Sequence, residues 1–312
     1  MEASERPRVV IAGGTGFIGR RLAAVLGGAG HDVVILSRSR ERPPVGPVRF
    51  ARWSGRPANA DASSDQSADA SWPSVIEGAR AVVNLCGAPI GGPRWSDARK
   101  AELLASRVEP TRALVEAVNT ARRPPSVFVQ ASGVGYYGTG DAPVDESSPA
   151  GNDFLANLAV QWEAPLEALR ADVRGVVTRF GVVLGSTGGA LAQMLLPFRL
   201  FVGGPIASGN QWLSWVHLHD AVDIVQRLID APDSRGVYNV VAPEPVRNAE
   251  FAQTAGAALH RPSFLFTPRF LLKALLGEQA TLVCDGQQVI GRRLSDFPFT
   301  YPTLKAALEH LV

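Results

Sequence analysis

The sequence predicts an α/β protein built on a doubly wound parallel sheet, with a smaller C-terminal region. Three observations carry this. Near the N-terminus an apolar segment, Val9-Val10-Ile11-Ala12, runs into the turn Gly13-Gly14-Thr15-Gly16 and then into an amphipathic stretch from Phe17 to Leu26. Short apolar segments then alternate with helical ones as far as about residue 185. At 312 residues and 46% apolar, the chain can fill one large α/β domain with an appendage.

Taken in order, Val9 to Ala12 form the first strand. Gly13 permits a tight turn off it, Gly16 lacks the Cβ that would keep a pyrophosphate away from the backbone, and Gly19 lets the following helix pack close to the sheet. The helix start offers unpaired N–H groups and a partial positive charge. Gly13, Thr15, Gly16, Phe17, Ile18 and Gly19 are therefore the candidate phosphate cradle of a dinucleotide, and the fold is of Rossmann type.

The second strand is Asp32-Val33-Val34-Ile35-Leu36. A site for NAD places a carboxylate at the end of this strand, about 20 residues past the glycines, to bind the ribose 2′-hydroxyl. Here the strand ends in Ser37-Arg38-Ser39-Arg40, and Asp32 lies at its wrong end. A hydroxyl and planar cationic donors suit a 2′-phosphate, so Ser37, Arg38 and Arg40 point to NADP(H). A solvated basic loop that includes Arg42 is the alternative.

Val48-Arg49-Phe50-Ala51-Arg52 is the third strand, and residues 54–71, rich in Ser, Ala and Asp, read as a surface insertion. Ala81 to Leu85 form a buried strand ending at Cys86-Gly87; a long helix spans about 96–121; Val127 to Ala131 form the next strand; residues 153–170 read as a helix; and Val176 to Arg179 form a strand. Ligands of such sheets bind at the carboxyl ends of the strands. The loops after residues 12, 36, 85, 131 and 179 should meet there, adding Leu85, Cys86, Gly87, Ala131, Gly181 and Val182 to the candidate cofactor residues. Beyond 185 the pattern is irregular and is expected to return to the sheet twice.

Composition excludes several classes. A net charge of +2 and scattered arginines give no basis for a nucleic-acid partner. Residues 1–6 are polar and acidic, unlike a signal peptide. The most apolar stretch, Met194 to Ile206, is broken by Pro197, Arg199 and Pro205 and is short of the ~20 residues of a span, so no membrane partner is expected. Two cysteines, Cys86 and Cys284, are too few for a disulfide framework and are expected to stay reduced in a cytoplasm. The histidines suggest no metal site: His217 and His219 are expected to be a structural pair on one strand face.

The chain resembles an extended short-chain dehydrogenase/reductase. The carrying segments are Gly13 to Gly19, Val83-Asn84-Leu85-Cys86-Gly87, Tyr137-Gly138, Asp145-Glu146-Ser147-Ser148-Pro149 and Thr178 to Gly185. It is similar in particular to an atypical, sugar-nucleotide epimerase-like branch of unknown substrate, through Ser132 to Gly138, Phe154-Leu155, Trp162-Glu163, Pro268-Arg269-Phe270, Leu276-Gly277-Glu278 and the segment 297–304. The resemblance implies a small C-terminal domain. The expected division is an NADP-binding domain at 1–185, with returning segments at about 214–242, and a substrate-side region at 186–312 that includes the small domain at about 262–312.

The resemblance also implies a Tyr-x-x-x-Lys pair on the helix after Ser132, which this chain lacks. In one register the pair becomes Phe154 and Leu158, in the other Leu155 and Ala159. The usual Asn of the long helix is replaced by Arg107. Ser132 or Gly133 takes the family's serine position, depending on which tyrosine is aligned. Candidate catalytic groups are Ser132, Tyr136 and Tyr137; both tyrosines are equally readable as packed rings. Arg107 is a candidate ligand for a carboxylate, a phosphate or the cofactor ribose, or else an ion-pair partner of Glu109 or Glu102. Cys86 reads as a small apolar wall residue, His217 as structural, and Trp95, Tyr136, Trp212 and Trp215 either as walls of a pocket for an apolar or ring-shaped substrate or as ordinary core and interface residues. The expected function is an NADP(H)-dependent oxidoreductase or epimerase acting on a small carbonyl or hydroxyl compound. The alternative is a non-enzymatic NADP(H) sensor or scaffold.

Overall fold

A computed structural model of the chain describes residues 6–38, 48–56 and 71–312. The strands are β1 (Arg8–Ala12), β2 (Asp32–Ser37), β3 (Val48–Arg52), β4 (Ala81–Asn84), β5 (Val127–Gly133), β6 (Arg174–Phe180), β7 (Val182–Leu184), β8 (Trp212–Leu213), β9 (Trp215–His217), β10 (Gly236–Val240) and β11 (Val246–Arg247). The main helices are α1 (Phe17–Gly28), α2 (Asp97–Thr120), α3 (Phe154–Glu163), α4 (Leu191–Arg199), α5 (Leu218–Asp230), α6 (Asn248–Leu259), α7 (Arg269–Leu276) and α8 (Leu304–Leu311).

A seven-stranded parallel sheet has the order β10-β6-β5-β4-β1-β2-β3. The chain reverses direction of growth between β1 and β4, which opens a crevice at their carboxyl ends. Alternation along each strand feeds two cores. Val9, Ile11, Val33, Ile35 and Val129 face α1 and α5 through Leu22, Leu26, Val222 and Val225. Val10, Val34, Leu36, Val82 and Phe128 face α2 through Leu114 and Val118. A third core joins α4, α6 and α8 through Leu195, Phe251 and Leu308.

Two expectations change. The helix expected over 153–170 ends at Glu163 and continues as a 3₁₀ turn, Ala164–Ala168. Pro165 lacks the N–H that an α-helix would need there. Of the segments expected to return to the sheet, β10 enters it beside β6, whereas β9 pairs with β7 in a separate two-stranded ladder.

The C-terminal segment is tied to the sheet side by buried polar contacts. Asp220 accepts the backbone N–H groups of Thr300 (2.8 Å) and Tyr301 (3.0 Å). His217 is buried, and its Nδ1 accepts the N–H of His219, so its Nε2 donates to His310 Nδ1 at 3.2 Å. His219 already belongs to α5, so His217 caps the helix that His219 enters, and the two do not share a strand face.

Candidate active site

The glycine turn is held by close backbone approach. A Cβ on Gly13, whose φ is +76°, would lie 2.7 Å from the carbonyl carbon and oxygen of Leu85; one on Gly19 would lie 2.4 Å from Gly13 O. The turns after β1 and β4 therefore lie against each other, and α1 starts directly on the turn. Gly16 differs: its nearest neighbour would be Gly13 O at 3.1 Å, and its face is otherwise open. No side chain caps α1, so the N–H groups of its first turn are not met by a capping oxygen. That donor set, with a glycine face open above it, fits a phosphate.

Ser37 closes β2, and Arg38 follows it, exposed. β1 lies between β2 and β4 and all three run parallel, so Arg38 and Cys86 follow strands whose carboxyl ends open on the same side of the sheet. Arg40 lies outside the described residues, as do Ser39, Arg42 and most of the 54–71 segment. Asp32 is at the far end of β2, bound by Arg8 and Arg49. Burial pushes the Cys86 thiol up to about 12, against the pull of Arg38, which keeps it protonated at neutral pH and suits a wall residue. Leu85 packs on the α1 side of the sheet and Ala131 is buried in the same core. Phe17 is enclosed by the backbone of Gly185, Gly188 and Gly189, where added Cβ atoms would come within 2.7–2.8 Å of its ring. At Gly181 a Cβ would lie 2.6 Å from Ser214 O, and Val182 N–H donates to that same oxygen at 2.9 Å.

Arg107 is not on the helix surface. It is 5% exposed; Nη1 donates to Leu103 O and Nη2 to Ala88 O, and the guanidinium lies over the Trp162 ring at 4.9 Å. The anticipated ion pairs do not form: Glu102 is held by Arg99 and Glu109 by Arg56. Among the described residues no carboxylate reaches Arg107, and its Nε and the Trp162 Nε1 are buried without a partner. Burial, with a smaller repulsion from Arg99, pulls it down to about 10, still charged at neutral pH. A Cβ on Gly87 would sit 3.1 Å from the guanidinium carbon, so Gly87 makes room for this cation.

The catalytic candidates join one network. Ser132 Oγ donates to Glu163 Oε1 at 2.5 Å. Arg179 donates to both oxygens of Glu163, and its Nη1 donates to the Tyr137 hydroxyl at 3.0 Å. Tyr137 in turn donates to Asn239 Oδ1 at 2.8 Å. Burial works against the charge of Arg179, but the Glu163 carboxylate outweighs it and holds the guanidinium above its ordinary value. Tyr137 is buried, and burial pushes its phenol up despite the neighbouring Arg179. Tyr136 is half-buried, its ring 3.2 Å from the Arg179 guanidinium carbon, and its hydroxyl has no hydrogen bond among the described residues. The lone serine–tyrosine reading thus missed Glu163, Arg179 and Asn239. The available signal was a charged residue, Arg179, directly after the apolar pair Val176-Val177 of an interior strand, where a buried charge requires a partner.

The four aromatic residues read as a pocket wall fall into separate groups. Trp215 is fully buried in the third core, Trp95 packs edge-on to Phe154, Trp212 lies under Arg247, and Tyr136 meets Tyr137 edge-on.

Residues 9–241 match the NAD dependent epimerase/dehydratase family, and residues 267–311 match a domain of unknown function, DUF1731. The chain belongs to the NAD dependent epimerase/dehydratase family. It is 41% identical to the Epimerase family protein SDR39U1 homolog, chloroplastic, of Arabidopsis thaliana over 97% of this chain and 86% of that one. It is 34% identical to the Epimerase family protein YfhF of Bacillus subtilis, over 97% of each. The crystal structure of human epimerase family protein SDR39U1 (isoform2) with NADPH superposes with a TM-score of 0.85 at 40% identity, covering 97% of this chain and 98% of that one. The extended short-chain dehydrogenase/reductase resemblance and the Rossmann-type fold hold. Among the described residues no helix is long and apolar enough to cross a membrane.

Proposed function

We propose that the protein is an NADP(H)-dependent oxidoreductase or epimerase acting on a small carbonyl or hydroxyl compound, with a proton donor other than the family's tyrosine–lysine pair. The observation that carries this is the cradle: a glycine turn pressed against Leu85, an uncapped helix start, and Arg38 at the end of β2 where a carboxylate would otherwise stand. The NADPH-bound human relative, at 40% identity over 97% of this chain, supports the same cofactor. In this reading Gly13, Thr15, Gly16, Phe17, Ile18 and Gly19 hold the pyrophosphate; Ser37, Arg38 and Arg40 hold the 2′-phosphate; Leu85, Cys86, Gly87, Ala131, Gly181 and Val182 line the cofactor. Arg107, a buried cation with a spare donor, holds a ribose oxygen or an anionic group. The division at 185, with 214–242 returning to the cofactor side and 186–312 facing the substrate, belongs to the same proposal, as does a cytoplasmic location.

When bound, the nicotinamide supplies or accepts a hydride. The protein must then move a proton. Glu163 accepts both hydrogen bonds of Arg179 and the Ser132 hydroxyl hydrogen, so Ser132 presents only lone pairs to a substrate. Ser132 therefore accepts from a substrate hydroxyl and positions it. Tyr137 spends its hydroxyl on Asn239 and Arg179. Tyr136, whose hydroxyl has no such engagement, is the proton donor of this proposal.

A second reading, the NADP(H) sensor or scaffold, draws on α3, where Phe154, Leu155, Leu158 and Ala159 offer neither phenol nor cation. Screening carbonyl compounds for NADPH oxidation beside a calorimetric NADPH titration separates the two. Turnover supports the enzyme, tight binding without any turnover favours the sensor, and absence of binding overturns both.

A further inference from the structure

The C-terminal region carries an apolar face that none of the described residues covers. Phe264, Phe270 and Leu275 are 77%, 74% and 67% exposed, and Leu200, Phe201, Val202 and Phe266 are also more than half exposed. They form one surface. The turn after α4 and the segment before α7 run side by side: Leu265 N–H donates to Gly203 O, Thr267 N–H to Pro205 O and Ala207 N–H to Thr267 O. α7 continues from this ladder, turning Leu272 and Leu276 inward against Ile206 and leaving Phe270, Leu271 and Leu275 outward.

The charge on this face has one sign. Neither 186–211 nor 251–277 contains an acidic residue, while Arg199, Arg261, Arg269 and Lys273 all lie in them. Arg269 is paired with Asp285; Arg261 lies over the Phe201 ring at 4.5 Å. Exposed Arg199 and Lys273 meet no carboxylate among the described residues.

We propose that this face seats the protein on an anionic lipid surface, its phenylalanines and leucines entering the headgroup boundary and its arginines and lysine meeting lipid phosphates and carboxylates. Charge complementarity argues for this occupant. A second copy docked through the same face would bring Arg199, Arg261 and Lys273 against their own counterparts, and neither segment carries an acidic residue to offset them. Side chains three-quarters exposed project from the surface instead of lining a groove, which suits a fluid lipid boundary better than a protein helix. That no segment is long enough to span a bilayer bears on crossing, not on surface contact.

Co-sedimentation with vesicles tests it. The full chain should sediment with vesicles of one part phosphatidylserine to two of phosphatidylcholine and stay in solution with phosphatidylcholine alone. Phe264→Gln/Phe270→Gln/Leu275→Gln and, separately, Arg199→Glu/Lys273→Glu should each weaken the association at least tenfold. Both variants should keep the thermal midpoint and NADPH affinity of the parent protein, showing that they fold. Three outcomes overturn the proposal: no sedimentation of the parent protein with anionic vesicles, equal sedimentation with both compositions, or folded variants that bind as well as the parent. A dimer in sedimentation equilibrium that the apolar variant dissociates, without vesicle binding by the parent, would assign the face to a second copy and also overturn it.

Discussion

The Arg179 guanidinium and the Glu163 carboxylate meet through two parallel hydrogen bonds, Nε to Oε1 at 2.9 Å and Nη2 to Oε2 at 2.7 Å. Their side chains are 4% and 13% exposed, so each ion depends on the other. Removing one leaves a buried charge alone, which costs about 3–5 kcal/mol; removing both costs much less. Arg179→Met should therefore lower stability by that amount in urea unfolding, and Arg179→Met/Glu163→Leu should recover most of it. A single-variant loss under about 1 kcal/mol would show that the pair is not buried as described.

The glycines of the cradle should separate in their effects. Gly16→Val places methyl groups on the face open to ligand, so NADPH affinity should be lost while circular dichroism and the melting transition stay close to the parent's. Gly19→Val drives a side chain into Gly13 O and should disrupt the fold itself. Calorimetry of Gly16→Val returning undiminished NADPH affinity would remove the turn from the cofactor site.

Preference for NADP(H) over NAD(H) should rest on Arg38. A charge-assisted contact to phosphate is typically worth ~1.5–3 kcal/mol, or roughly tenfold or more in affinity. Arg38→Ala should lose most of that preference and retain NADH binding. Equal affinities in the parent protein would reject the assignment.

The two adjacent tyrosines should behave oppositely. Tyr136→Phe should cut turnover on a confirmed substrate by ~10²–10⁴-fold with stability unchanged. Tyr137→Phe leaves buried Asn239 without its donor and should cost about 1–3 kcal/mol of stability while retaining most of the turnover. Full activity in Tyr136→Phe would exclude it as the proton donor.

Acid should loosen the C-terminal segment through His217. Burial chiefly, then the neighbouring His310, His219 and Arg21, lowers its folded value to about 4, against 6.5 for an ordinary imidazole. Between these values the unfolded chain binds the extra proton and the folded one does not. Stability is therefore full above about 6.5 and falls as the pH drops toward 4, by up to about 3 kcal/mol. Melting curves of the parent and His217→Phe should differ in pH dependence across this window, and a parent transition unchanged from pH 7 to 4.5 would refute the linkage.

Much of the fold was legible because a parallel sheet leaves so plain a trace. Val9 to Ala12, Val33 to Leu36 and Val127 to Val129 are apolar on both faces, and Val48–Arg52 falls where its β-branched and aromatic residues put it. The site was legible only where local geometry defines it, as at Gly13, Gly16 and Gly19. Glu163 and Arg179 come from different elements, and no local pattern joins them. Arg107 was open to a better reading: Leu103, Thr111, Leu114 and Val118 on the same stripe of α2 are all buried, and a charge inside that stripe cannot be a surface ion pair. The apolar face of α7 was invisible to span length because it is assembled from two separate segments.

The apposition of Gly13 and Leu85 has a consequence for the protein's life in a cell. The cofactor seat is absent until β4 has docked beside β1, so a nascent or partly opened chain offers nothing to capture. Cofactor bound only by the finished sheet adds RT ln(1 + [L]/Kd) to the folding equilibrium. In the proposed reading, the amount of intact protein would then rise and fall with the NADPH pool. The chain's own turnover by proteases would become a readout of reducing supply, with no dedicated regulatory site.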